Sequence, residues 1–209
     1  MKYITQGERG VKHLALLRRV FLKRMSGKFH IRFNDEEHAC LVLYRGNFIG
    51  DKQSVVESLR RLLANPVQQF AWENISDTKE NKGGWIAPWI ALSASLKSLE
   101  FDSGRLSAYQ HAFSSLPPVI LKNLPVHRLN FQDEDAYLLL HQLSLGLPSF
   151  DLRLFFMGHP STQELNERVR TVLFVFLLGY LRSAPKQEEN KKVSVVSRIL
   201  NRFKTKGDA

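Results

Sequence analysis

The stretch GKFHIRFNDEEHACLVLYRGNFIG, running from Gly27 to Gly50, decides how this chain folds. Phe29, Ile31 and Phe33 alternate with Lys28, His30 and Arg32, the period of two that a half-buried strand requires. Asn34, Asp35, Glu36 and Glu37 then turn the chain. His38 to Arg45 is apolar on both faces, as a strand with neighbours on each side would be. Gly46 and Asn47 both tolerate positive φ and make a second tight turn, after which Phe48 to Lys52 is a short third strand. The expected product is an antiparallel meander with no chemistry in it.

Helical periodicity flanks the meander. From Gln6 to Met25, the residues Val11, Leu14, Leu17, Phe21, Leu22 and Met25 share one face, while Leu16 and Val20 lie off that stripe and flank the basic one. Lys12, Arg19 and Lys23 line the opposite face. After the meander, Val55, Val56, Leu59, Leu62 and Leu63 mark a helix that Asn65-Pro66 ends. Val67 to Ile75 returns as a strand with Phe70 and Trp72 on one face. Residues 76–84, polar, charged and ending in two glycines, are the expected unit boundary.

Residues 85–182 read as mostly helical. One helix is expected from Trp85 to Leu99 and another around Arg105 to Phe113, before Leu116-Pro117-Pro118 breaks the chain. Asp133, Glu134 and Asp135 open a helix through Leu145, where their charge suits the helix dipole. A short helix at 151–157 follows. Ser161 and Glu164 form a capping box that starts a long helix to about Leu181. Its apolar run, Thr171 to Leu181, would span ~16 Å as helix against a hydrocarbon layer of ~30 Å, so it is expected to be a buried helix. Residues 183–192 read as a linker. Val195, Val196, Ile199, Leu200 and Phe203 then make the apolar stripe of a basic amphipathic tail helix.

The fold class expected is therefore α+β: an N-terminal antiparallel sheet flanked by helices (1–76), a helical, winged-helix-like half (77–182), and a linker with its tail helix (183–209). The formal net charge is +10. Residues 1–32 hold nine Lys and Arg against one acid, residues 183–209 seven against three, and the folded middle is nearly neutral. Cationic excess confined to the ends does not make the body a nucleic-acid surface. The chain start lacks the apolar core of a signal peptide, and one cysteine, Cys40, fits a reducing compartment. A cytoplasmic protein is expected, with the inner face of the membrane as a second place for it.

No catalytic, cofactor or metal site is read from the residues. Adjacent helical acids at 133–135 point about 100° apart and serve as capping residues. His38 and Cys40 share a strand face without further ligands at metal spacing, and Cys40 reads as a small buried hydrophobe. Neither a dinucleotide fingerprint nor a P-loop is present. The helix-turn-helix-like series offers few cations: "FDLRLFFMG" has one Arg against one Asp, and "STQELNERVR" places acids before its arginines. The tail segment from Lys191 to Lys206 has six bases and no acid; it docks on the body, binds a partner's groove, or lies weakly on an acidic membrane.

The residues of the meander and its flanks resemble the PATAN-type domains of bacterial regulatory proteins. The resemblance rests on Gly27, Phe29, Ile31 and Phe33, on Leu43 through Ile49, on the helix Val55 to Leu63, and on the strand Gln69 to Glu73. It extends over about residues 10–182, with Asn65-Pro66 standing where the family often has a glycine turn. It implies a signalling adaptor without enzymatic activity that contacts components of the type IV pilus machinery.

The expectation carried forward is a regulator that binds a pilus motor component, the extension ATPase first, and modulates pilus assembly. Expected contact residues are Lys12, Arg19 and Lys23 on the first helix, and Val196, Arg198, Ile199, Leu200, Arg202 and Phe203 on the tail. The alternative is a nucleic-acid-binding transcriptional regulator using the helix-turn-helix-like half and the basic termini.

Overall fold

A computed structural model describes residues 3–7, 10–33, 38–75, 84–97, 99–122, 133–145 and 148–184. The tail residues Val196, Arg198, Ile199, Leu200, Arg202 and Phe203, and the segment 76–83 expected as a boundary, lie outside the described residues.

The fold is α+β. Its elements in order are β1 (Ile4–Thr5), α1 (Lys12–Leu22), β2 (Gly27–Arg32), β3 (His38–Tyr44), β4 (Asn47–Ile49), α2 (Lys52–Ala64), β5 (Gln69–Asn74) and β6 (Trp85–Ile86). Then follow α3 (Pro88–Leu96), α4 (Ser103–Ser114), β7 (Val119–Leu121), α5 (Glu134–Leu145), α6 (Leu152–Phe156), α7 (Thr162–Leu177) and β8 (Leu181–Ser183). Six strands form one antiparallel sheet in the order β1-β5-β2-β3-β4-β6, and β7 pairs with β8 in a second ladder.

Strand alternation sets the two faces of the large sheet. Phe29 sits opposite Leu41 on one side and Trp72 on the other, while Ile31 sits opposite Phe70. Phe29, Ile31, Leu41, Leu43, Phe48 and Phe70 are buried on this inner face, each worth roughly 1.5–3 kcal/mol. His13 and Phe21 of α1 make ring contacts with Phe70 and Phe48, so α1 packs on the same face. Leu59, Leu62 and Leu63 of α2 belong to that core too. Lys28, Arg32, His38, Cys40 and Glu73 stand exposed on the outer face.

Several expectations are corrected. Helix α1 begins at Lys12, because residues 4–5 add an edge strand beside β5. Val20 is fully buried and Leu22 is 47% exposed, the reverse of their expected placing, because α1 tilts its stripe toward Phe48 and α7. Cys40 is exposed, because its side chain falls on the open face of the sheet. Trp85 and Ile86 pair with Ile49 and Phe48 as β6, so the helix expected from Trp85 starts at Pro88, whose fixed φ suits a first helical position.

Helix α7 is the spine of the second half. Its capping box at Ser161 and Glu164 is formed, and every residue from Val169 to Val175 is buried. It packs against α1, α3, α4, α5 and α6. It ends four residues short of the expected Leu181. Gly179 takes φ +79°, the Tyr180 N–H bonds the Val175 carbonyl at 2.8 Å, and the chain turns into β8. Among the described residues, one hydrophobic cluster runs from Leu14 to Leu181. No helix among them is long and apolar enough to cross a membrane.

Candidate functional site

Buried polar groups come first, since a cleft with an unexplained titratable group is the usual mark of chemistry. Asp133, expected as a capping acid exposed to the dipole, is instead buried and paired with Arg170 of α7: Nε donates to Oδ2 at 2.8 Å and Nη2 to Oδ1 at 2.6 Å. Arg170 Nη1 also donates to the Leu99 carbonyl at 2.8 Å. A two-pronged pair of this kind clamps the start of α5 and the α3–α4 connection to the central helix. Nearby, Asn166 Oδ1 accepts from the Phe101 N–H and its Nδ2 donates to the Thr162 carbonyl. This cluster holds the structure together.

A second buried cluster joins β1, α1, α2 and α4. Gln6 Nε2 donates to the Val67 carbonyl and lies 2.7 Å from His13 Nδ1. Arg105 donates through Nε to the Leu63 carbonyl and through Nη2 to the Tyr109 hydroxyl, which in turn donates to Leu63. The guanidinium also lies over the Tyr109 ring. Burial, then the Arg105 charge, hold the His13 imidazole well below its usual range, and burial pushes the Tyr109 phenol up. The Leu63 carbonyl at the C-terminal end of α2, where the helix dipole is negative, is the backbone acceptor that meets the buried cation. This cluster is structural as well.

The outer sheet face gathers His30, His38, Cys40 and Glu73, with His30 opposite Cys40 and 3.1 Å from Glu73. The thiol is pushed up, chiefly by partial burial, which disfavours a nucleophilic thiolate. Among the described residues, no three His, Cys, Asp or Glu side chains gather where they could hold a metal ion.

What the interior does not explain lies at the end of α1. A groove of 660 Å³ is lined by Phe21, Leu22, Arg24, Arg45, Gly46, Asn47, Trp85, Ala87, Pro88, Trp89 and Leu178. Two of its arginines occupy left-handed backbone positions. Arg24, φ +49°, follows α1 where its N–H bonds the Phe21 carbonyl and that of Met25 bonds Val20. The equivalent position after α7 is Gly179, the residue such a cap ordinarily takes. Arg45, φ +48°, precedes Gly46, φ +77°, in the turn between β3 and β4. The pair at the centre of that turn is therefore Arg45-Gly46 and not the expected Gly46-Asn47, and Asn or Asp is the usual occupant of Arg45's place. Gly46 itself is required: a Cβ there would lie 3.2 Å from both Arg24 Cα and the Phe21 carbonyl.

No protein-family model, curated protein or solved structure matches this chain.

Around the groove the surface is cationic and aromatic. Lys12, Arg19 and Lys23, expected as contact residues, are all exposed on α1, and the last two run up to Arg24. Among the described residues, none of them, nor Arg24 or Arg45, pairs with a carboxylate, and no acid lines the groove. Trp85 is 58% exposed and tilts against Tyr44, over which Arg45 also lies at 5.3 Å. The negative end of α1 accounts for cations at Arg19, Lys23 and Arg24 by about 0.3–1 kcal/mol each. Arg45 comes from a hairpin and has no such reason to be there. Sequence reasoning found the α1 cations but missed Arg24, Arg45 and Trp85; an Arg-Gly pair at a hairpin tip was the one local signal.

Proposed function

We propose that this chain is a regulator without enzymatic activity that acts by binding another protein through the cationic face of α1. One observation carries this: Lys12, Arg19 and Lys23 project into solvent along α1 with no carboxylate partner among the described residues, while Asp133, Arg170, His13, Arg105 and Tyr109 are engaged inside the fold. Exposed arginines beside large apolar groups are the composition of interaction hot spots. The partner we put first is a type IV pilus motor component, the extension ATPase, on the resemblance carried by Gly27 to Phe33 and Leu43 to Ile49; the effect would be on pilus assembly.

The test is capture of the purified extension ATPase by the full chain, compared with the variant K12E/R19E/K23E. Loss of capture on charge reversal supports the proposal. Undiminished capture by the variant, or no capture by either, overturns it in this form.

The nucleic-acid alternative has one observation in its favour, the exposed Lys28, Arg32 and His38 on the outer sheet face. Against it, Arg168 of α7 donates to the Phe155 and Met157 carbonyls and Arg170 to Asp133, so neither is aimed at a phosphate. Duplex DNA binding through several phosphates weakens by orders of magnitude between low and moderate salt. A salt titration with duplex DNA therefore separates the two.

A further inference from the structure

We infer that the groove between α1, the β3–β4 turn and the start of α3 is a docking site for an acidic peptide segment of a partner protein that carries an apolar or aromatic anchor. The inference rests on the protein-binding proposal above and names the site and the chemistry of its occupant.

Three observations select that occupant. The first is charge: Arg24 and Arg45 line the groove, Lys23 and Arg19 continue from it along α1, and among the described residues no acidic side chain lines it. A positive strip that runs beyond the cavity suits a ligand longer than the cavity, with several negative charges along it. The second is the wall. Leu22, Ala87, Pro88, Trp89 and Leu178 contribute apolar surface, and Leu22 and Trp85 are about half exposed. A small inorganic anion would leave that surface uncovered, whereas an aromatic or leucine side chain would bury it. The third concerns this chain's own tail: Lys191 to Lys206 holds six bases and no acid, so its charge repels it from the groove. Positions 24 and 45 also hold arginine where the backbone conformation favours glycine or asparagine, and at Arg45 no helix end accounts for the cation.

The same backbone supplies the test. Glycine is at ease at positive φ, so Arg24→Gly and Arg45→Gly remove the cations without disturbing the turn or the helix cap. The probe is a fluorescein-labelled twelve-residue synthetic peptide rich in Asp and Glu with one Phe and one Leu, titrated against the full chain by anisotropy. Companion probes have Phe and Leu changed to Ser, or the acids changed to Lys; inorganic phosphate and ATP serve as competitors. The expected result is saturable binding to the wild type, weakened about tenfold in R24G/R45G and again in Trp85→Ala, with melting temperatures of the glycine variants unchanged or raised. The serine peptide should bind more weakly and the lysine peptide not at all. Equal binding of the acidic and lysine peptides, wild-type affinity in R24G/R45G, or full displacement by phosphate alone would each overturn the inference. If the glycine variants still capture the extension ATPase while K12E/R19E/K23E does not, the groove is eliminated and the protein-binding proposal stands.

Discussion

Arg24 and Arg45 adopt a backbone conformation that costs an L-residue with a side chain roughly 1–2 kcal/mol, against roughly 0.5–1 kcal/mol of extra chain entropy lost when glycine is ordered. Replacing Arg45 by glycine is therefore expected to raise stability by about 0.5–1 kcal/mol, read as a higher urea midpoint at constant slope, whereas at Arg24 the lost attraction to the negative end of α1 offsets most of that gain. Asp133 presents the opposite case. Truncating it to Ala leaves the Arg170 guanidinium buried without its counter-charge, and a loss of about 3–5 kcal/mol is expected in the same measurement. His13 supplies a pH dependence whose sign follows from its environment. Its folded pKa lies well below 6.5, so it stays neutral in the fold while the unfolded chain takes up a proton near pH 6.5. Stability conferred by the neutral form is complete above that pH and falls as the solution is acidified. The expected contribution is a loss of about 1 kcal/mol between pH 6.5 and 5.5, absent in His13→Gln.

Elements meet where glycine allows it, and the two closest approaches differ in kind. At Gly27 in β2 a Cβ would lie 2.3 Å from the Glu73 carbonyl oxygen and 2.4 Å from the Trp72 ring. The first is ladder backbone of β5, which cannot move without breaking the register that sets the whole inner face. At Gly179 the nearest atom is the Leu22 Cδ2 at 2.4 Å, the end of a side chain that is half exposed and free to turn away. What remains there is the positive φ, worth about 1 kcal/mol. Gly27→Ala is thus expected to destabilise by more than Gly179→Ala, with at least about 3 kcal/mol for the former. Thermal melts of the two variants side by side test the ordering; equal melting temperatures would contradict it. The same contrast explains why α1 and α7, which end in the same hydrogen-bond pattern, end in different residues. The cap after α7 takes glycine, with the Leu22 side chain lying over it, and the cap after α1 lines the groove and carries a cation.

Over the whole molecule the charges separate by location. Within the described residues the buried Arg170 meets a carboxylate and the buried Arg105 the Leu63 carbonyl at the end of α2, and the exposed cations without a carboxylate partner include those on α1, on the hairpin tip and on the outer sheet face. Exposed charges contribute little to folding, so K12E/R19E/K23E is expected to unfold within about 1–2 kcal/mol of the wild type per site, the larger part at Arg19 and Lys23, where the charge reversal meets the negative end of α1. Its binding should differ far more. Removing three cations should also flatten the salt dependence of the association rate, because steering through exposed charge is screened beyond about 10 Å at 0.1 M salt. Stopped-flow association at two ionic strengths reads this; an unchanged salt slope would remove α1 from the encounter surface.

Periodicity alone was enough for the meander β2-β3-β4, the helix α2, the strand β5 and the capped start of α7. In each, every residue's partner in the pattern lies within a few positions, and alternation or a capping box is complete in local sequence. Tertiary pairing decided the rest. The strands β1 and β6 have two residues each and exist only because β5 and β4 offer an edge. The end of α7 was set by β7, some sixty residues earlier, which draws Leu181–Ser183 into a ladder where an apolar run would otherwise continue as helix. Asp133 met Arg170, and Arg24, Arg45 and Trp85 met around one groove, only through the packing of α1 and α3 against the sheet. Local sequence fixes which way a backbone bends; it carries no record of which distant surface will cover a side chain, and burial and charge pairing depend on that surface.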